Sequence, residues 1–423
     1  MRRAALAIAL AWWPAFAATT AITGARVLVG DGRVIDSGTV LIVDGKIAEV
    51  GSGIAIPADA AKVDGTGKTL TPAIFDADTT VGIEEVSLVP ATVDVDEEAG
   101  PVMPQLRTLD AYNPGSEVIE ITRAGGVTIV AVNPGAGNVV SGRSAVMRLD
   151  PGLSAADAAM LEPAALHVNM GEPPKGKFGG RKEMPSTRMG IAAVIRDAFE
   201  KAGEYRGKVK AYEKKKQGKE GDKAEPPDFD PKSEALLAAL DGKIPVVFRA
   251  NRADDILTAL RLAKEIGVRP ILLGGAEAWK VASDLVASKT PVIYSPAGLQ
   301  PDAMDRLDAV EDGAARLQNA GVLLVLATGD AHNARNLPVI AGRAVAFGLP
   351  YDAAIAAITK NPAKVYGLDD RLGTVEKGKL ARLVLWSGDP LESSTRVERV
   401  ISGNDVSEPS TVLERNGEPY LKR

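Results

Sequence analysis

Apolar and polar positions alternate in short runs from Thr20 to about Leu70. AITGARVLV and GTVLIVDGKIAEVG read as strands with one face on a core, and Asp44-Gly45 forms a two-residue hairpin turn inside the second run. ARLVLWSGDP and VERVISGNDV repeat the pattern near the far end. The two stretches together predict one small composite β-sandwich domain, built from residues 18–70 and 372–423.

The middle of the chain, 71–371, has a different rhythm. From Ile244 it runs strand IPVVFRA, helix from Ala253 to Ile266, strand VRPILL, helix from Glu277 to Ala287, strand PVIY, a helical stretch after Pro301 and strand VLLVLA. Strands that are apolar throughout, each followed by an amphipathic helix, indicate parallel strands covered by helices. Upstream, GIAAVIRDAFEKAG places Ile191, Val194, Ile195, Ala198 and Phe199 on one helical face. The predicted class is α/β, a (β/α)8 TIM-type barrel carrying the composite β-domain. An open doubly wound sheet is the alternative, and the absence of a glycine-rich phosphate loop after a strand weighs against it. Residues 207–230, GKVKAYEKKKQGKEGDKAEPPDFD, form a charged insertion expected to be a solvated helix end and loop. Asp230 and Pro231 then read as an N-cap and first-turn proline that restart a helix at EALLAAL.

Composition narrows the partners. The 423 residues are 45% hydrophobic, enough for one large domain and a satellite. Fifty basic side chains against 55 acidic ones give no sign of nucleic-acid binding or of a membrane surface, which leaves small molecules as partners. Arg2 and Arg3, the apolar run Ala4 to Phe16 and the small-residue site Ala15-Phe16-Ala17 make residues 1–17 a signal peptide cleaved after Ala17. A membrane span needs about 20 apolar residues, and Pro14 interrupts a stretch already shorter than that. The mature protein is therefore expected to be periplasmic or secreted, by a route that two arginines alone leave open. No cysteine is present, so disulfides, thiolate ligands and lipid attachment through cysteine are excluded.

Several strings then match in order and spacing. ITGARVLVGDGRVIDSGTVLIVDGKIAEVG, LTPAIFDADTTVG, ITKNPAKVYGLDDRLGTVEKGK and WSGDPLE resemble the amidohydrolase superfamily, in its imidazolonepropionase-like and prolidase-like branch. The resemblance covers nearly the whole mature chain and implies a metal-dependent (β/α)8 barrel with a small β-domain. It also implies a metal held by histidines, and there the chain departs from it. The first barrel strand of such enzymes ends in Asp-Ala-His-Thr-His; here the string is Asp76-Ala77-Asp78-Thr79-Thr80, so Asp78 and Thr80 stand at the two ligand positions. Where the family has His-Ala-His before Arg-Ala-Asp-Asp, this chain has Arg249, Ala250 and Asn251. Gly274 stands where a further histidine precedes the Trp-containing string, and Thr328-Gly329 replaces Thr-Asp, with Asp330 one place late.

Only two histidines exist in the chain, His167 and His332. A catalytic zinc takes three protein ligands and keeps one open position. A guanidinium about 4 Å from a divalent ion is repelled by roughly 8 kcal/mol at an effective dielectric near 20. Arg249 is therefore expected to stand in for the metal's charge by pairing with Asp78 across the barrel mouth. Removing a metal that lowers the pKa of water from about 15.7 to about 7 costs up to roughly eight orders of magnitude in available hydroxide. Neither histidine lies in a nucleophile-elbow context.

Two functions compete. The first is a non-catalytic binding or partner subunit for a small-molecule or peptide-like ligand, working as a homo-oligomer or beside a metal-competent amidohydrolase. It has no cofactor and no metal ligands, and its pocket is drawn from Asp78, Thr80, Arg249, Asn251, Gly274, Arg143 in the loop NPGAGNVVSGR, and Glu172 in GEPPKGK, with Lys175 beside it. The second is a hydrolase of C–N bonds with a rearranged mononuclear site, where a divalent metal such as zinc is held by Asp78 with Asp330 and His332 as the catalytic candidates. His167 reads as a buried structural histidine.

Overall fold

A computed structural model describes residues 18–218, 224–295 and 303–421. The expected leader 1–17 and its cleavage site lie outside the described residues, as do 219–223 of the charged insertion. Sixteen strands occur among the described residues: β1 (Thr19–Leu28), β2 (Val34–Val43), β3 (Lys46–Gly51), β4 (Ala61–Asp64), β5 (Thr69–Pro72), β6 (Ile74–Thr79), β7 (Val127–Val132), β8 (Val140–Arg148), β9 (Ala159–Asn169), β10 (Val246–Ala250), β11 (Pro270–Gly274), β12 (Val292–Tyr294), β13 (Leu324–Leu326), β14 (Arg382–Trp386), β15 (Val397–Ser402) and β16 (Asp405–Ser407).

They form two sheets. One runs β16-β15-β14-β5-β1-β2-β3, with β4 on β1, and so joins both ends of the chain. Its register follows from the alternation: Ile22, Val27, Val40, Ile42, Leu70, Leu383 and Leu385 all point into one small core. Asp44 and Gly45 turn β2 into β3 with φ of 50° and 77°, the paired left-handed values that a tight hairpin needs.

The second sheet is a barrel, in the order β13-β12-β11-β10-β9-β8-β7-β6. Alternate residues of its strands point inward: Phe75, Ala77, Ile129, Ala131, Ala165, Val247, Ile271, Leu273, Ile293, Val325 and Ala327 form one buried cluster, and the outward set packs on the helices. Helix Ala253–Ile266 ends at Gly267 in the left-handed conformation. The side chain of Asp230 accepts from the backbone of Lys232 and Ser233 at the start of helix Pro231–Leu240. The long helix Arg188–Lys216 buries Ile191, Ile195, Ala198 and Phe199, and its charged end carries residues 207–216. No helix among the described residues is long and apolar enough to cross a membrane.

One strand departs from the expected parallel pattern. β8 is antiparallel to both β7 and β9. Only Asn133 to Val139 separates β7 from β8, and a parallel return needs a crossover of about a dozen residues or more. The segment read as a βα-loop is instead a hairpin connection followed by a strand.

The first and last strands meet through side chains as well as backbone. Gly329 N donates to Asp78 O at 2.9 Å, and Thr328 N donates to Asp76 Oδ1 at 3.2 Å. Thr328 Oγ1 donates to Asp76 Oδ2 at 2.5 Å. The Asp76 carboxyl thus stitches the seam between β6 and β13.

Candidate functional site at the barrel mouth

The C-terminal ends of β6, β10, β11 and β13 open into a cavity of about 920 Å³. Asp78, Arg249, Asn251, Gly274, Thr328 and Asp330 line it, along with Ser295. Barrel enzymes carry their sites at this face because the loops there are free to vary while the strands hold their ends fixed.

Asp78 is the central acid. Its side chain is 5% exposed, and Arg249, which reaches over from β10, donates from Nη2 to Asp78 Oδ1 at 3.0 Å. Asn133, at the end of β7, donates from Nδ2 to the same oxygen at 2.9 Å and to Ala77 O at 3.1 Å. The pair expected from the sequence is present, with an amide as a third member that the sequence did not single out.

Two further titratable groups lie beneath it. Burial pushes the Asp76 carboxyl up to about 8, against the opposing pull of its hydrogen bonds from Thr328 and from Asp78 N. His167, on β9, is pushed down to about 3, first by burial and then by the Arg249 charge nearby. At neutral pH Asp76 is thus mostly protonated and His167 is neutral. The one opposed pair of charges at the centre is Asp78 with Arg249.

Other predicted residues scatter. Asp330 lines the cavity, but Asn333 holds its carboxylate through the backbone N at 2.9 Å and Nδ2 at 3.0 Å, so it is tied to the short helix His332–Asn336 that follows it. His332 is exposed, and its Nε2 lies 2.6 Å from Glu85 O. Thr80 Oγ1 donates to Glu84 at 2.7 Å and is not part of the cavity wall. Asn251 and Gly274 do meet: Gly274 has φ of 93°, and a Cβ there would come within 2.7 Å of Asn251 Oδ1. The two positions are adjusted to each other, and any side chain at 274 would be strained.

Arg143 lies elsewhere. It lines a separate cavity of about 540 Å³ with Arg107 and Asp96, donates to Gln105 O at 3.2 Å, and has its pKa lowered mainly by burial. Glu172 opens the short helix Glu172–Gly180, outside the main cavity, and Lys175 is exposed. Asp76 and Asn133 are what the sequence reading passed over, while His167 is buried, as its structural reading expected. An acid at 76 inside the apolar run Ala73 to Ala77 was the available signal, because a carboxyl on a buried strand needs a reason.

Among the described residues no group of three or more His, Cys, Asp or Glu stands close enough to hold a metal ion.

Comparison with known proteins adds the family. A model of the amidohydrolase family matches residues 235–418. The amidohydrolase tasK of Hapsidospora irregularis is 27% identical over 367 residues, which cover 79% of this chain and 36% of that protein. The chain thus spans about a third of the length of that relative. Imidazolonepropionase of Aromatoleum aromaticum is 41% identical over 80 residues, 18% of this chain and 19% of that one. The crystal structure of an amidohydrolase from Thermotoga maritima MSB8 superposes with a TM-score of 0.87 at 35% identity, over 92% of this chain and all of that one. A prolidase complexed with N-methylphosphonate-L-proline shares the fold alone, with a TM-score of 0.55 at 16% identity over 93% of this chain and 100% of that one.

Proposed function

The chain belongs to the amidohydrolase superfamily, and from that premise we propose that it is an exported member whose metal site is degenerate: a non-catalytic subunit that binds a small or peptide-like ligand at the barrel mouth. One observation carries this reading, the 3.0 Å pair between Arg249 and Asp78. The acid at a family ligand position is already neutralised by a guanidinium that reaches across the barrel. A divalent ion beside Asp78 would meet that cation at close range.

The donor set does not suit such an ion either. Zinc asks for three ligands of the His, Asp or Glu type. Asp78 is shared by Arg249 and Asn133, Asp330 is held by Asn333, and His332 turns to a backbone carbonyl outside the cavity. The rearranged hydrolase would need all three to swing inward, with the Arg249 guanidinium removed. Family membership is what favours that second reading.

In the binding reading, the cavity keeps the volume of a small-ligand site and polar groups that orient a guest. The Asp78–Arg249 pair sets a fixed dipole at its floor. A ligand is held without a metal-activated water, so bound amides persist. Export to the periplasm, and pairing with itself or with a metal-competent relative, belong to the same proposal.

Metal analysis of the purified mature protein tests it. We expect substoichiometric zinc, manganese and iron, unchanged by Asp330→Asn or His332→Ala. Stoichiometric metal that disappears in either variant would overturn the reading and restore the hydrolase. A panel of dipeptides and N-acyl amino acids gives the second readout, with binding expected and turnover not.

A further inference from the structure

Three buried polar atoms near the ion pair lack a hydrogen-bond partner among the described residues: Asn133 Oδ1, His167 Nε2 and Arg249 Nε. Buried polar atoms are nearly always satisfied by protein or by ordered water, so these three call for an explanation.

Two of them belong to groups that meet at one atom, and the third lies on the adjacent strand. Asn133 Nδ2 and Arg249 Nη2 donate to the same oxygen, Asp78 Oδ1. Oδ1 of Asn133 and Nε of Arg249 each sit one carbon atom from those donors. His167 is on β9, in register with Val247 of β10, two residues before Arg249, and close enough to feel the guanidinium charge. Both Asn133 and His167 are 1% exposed.

Their chemistry is complementary through a third body. Arg249 Nε can only donate. The Asn133 amide is oriented by two acceptors, Ala77 O and Asp78 Oδ1, so its Nδ2 faces them and its Oδ1 must accept. The neutral imidazole of His167 offers Nε2 as an acceptor or, in the other tautomer, a donor. One donor, one acceptor and one nitrogen able to do either is the set that satisfies a water molecule.

We propose that the floor of the barrel mouth holds a bound internal water that bridges Arg249 Nε to His167 Nε2, with Asn133 Oδ1 as its further partner. The water supports the guanidinium from beneath, and so makes His167 and Asn133 positioning residues for the Asp78–Arg249 pair. The site is independent of whether the protein is catalytic.

A high-resolution crystal structure of the mature protein tests it, together with NMR of the Arg249 Nε–H group. Expected are a density peak within roughly 2.6–3.2 Å of both Arg249 Nε and His167 Nε2, and a cross-peak from the Arg249 Nε–H proton to a long-lived water. His167→Phe should abolish both, and His167→Gln, which keeps a polar end, should retain them. If His167→Phe does not fold, wild type and His167→Gln decide. A direct Arg249 Nε to His167 Nε2 hydrogen bond, a dry floor, or a cross-peak that survives in His167→Phe would overturn the proposal.

Discussion

The two sides of the barrel mouth use their polar residues in opposite ways. On the side of β6 and β10, Asp78, Arg249 and Asn133 turn toward one another across the interior, and Asp78 is nearly sealed from solvent. On the side of the loop after β13, Asp330 turns back to its own helix start and His332 turns out to Glu85 O. Side chains on strand ends that point into the barrel are largely shielded from bulk water, so their charges must cancel between elements. Loop residues can satisfy themselves locally. A carboxylate in the loop is thus held by its own neighbours in sequence, and a carboxylate on the strand is half of a pair.

Breaking the strand side should have the largest effect. Arg249→Met leaves Asp78 buried without its cation. Removing one partner of a buried pair typically costs about 3–5 kcal/mol. The lower end is expected here, because the Arg249 side chain is 23% exposed. Urea unfolding reads this directly, and Asp78→Asn in the same chain should recover most of the loss. Failure of the second substitution to rescue the first would mean that Arg249 acts through packing.

The next effect is on pH dependence. Asp76 has a folded pKa raised from 3.8 to about 8. A raised carboxyl contributes its stability fully below the unfolded value, and that contribution is lost as pH climbs through the window from 3.8 to about 8. His167 runs the other way: its pKa is depressed from 6.5 to about 3, so its contribution is present above 6.5 and is lost as pH falls toward 3. The two oppose each other between 3.8 and 6.5, and Asp76 acts alone from 6.5 to about 8. Asp76→Asn, which keeps a polar group at the seam, should therefore flatten the decline in melting temperature above pH 6.5. An unchanged alkaline limb would show that Asp76 is not the titrating group.

The loop side should respond weakly. Asp330→Ala removes the local hydrogen bonds from Asn333, a loss of roughly 1 kcal/mol. His332→Ala, at an exposed position, should stay within about 0.5 kcal/mol of wild type. Comparable losses from Asp330→Ala and Arg249→Met would erase the contrast between the two sides.

Much of the architecture was legible because it rests on local patterning. The period-two runs at the two chain ends and the apolar strands between amphipathic helices each carry their own signal, down to the Asp44-Gly45 turn and the Asp230 cap. The reversal of β8 was less visible. The glycines and asparagines before it read equally well as a loop, and only the short count from Asn133 to Val139 speaks for a hairpin. In the site, Arg249 and Asp78 stood out because a charge on an apolar strand end demands a partner. Asp76 obeyed the same logic but was hidden by the brighter changes two residues on. The fates of Asp330 and His332 depend on which way a loop turns after β13, and adjacency in sequence carries no information about that.

The central claim is that a guanidinium occupies the place of a metal's charge. Its most direct test is the melting temperature of the metal-stripped mature protein, measured with and without added zinc and manganese. A ligand that binds only the folded state raises it, by an amount set by concentration over Kd. The account predicts no rise in wild type. A metal-dependent rise that Asp78→Asn abolishes would contradict it.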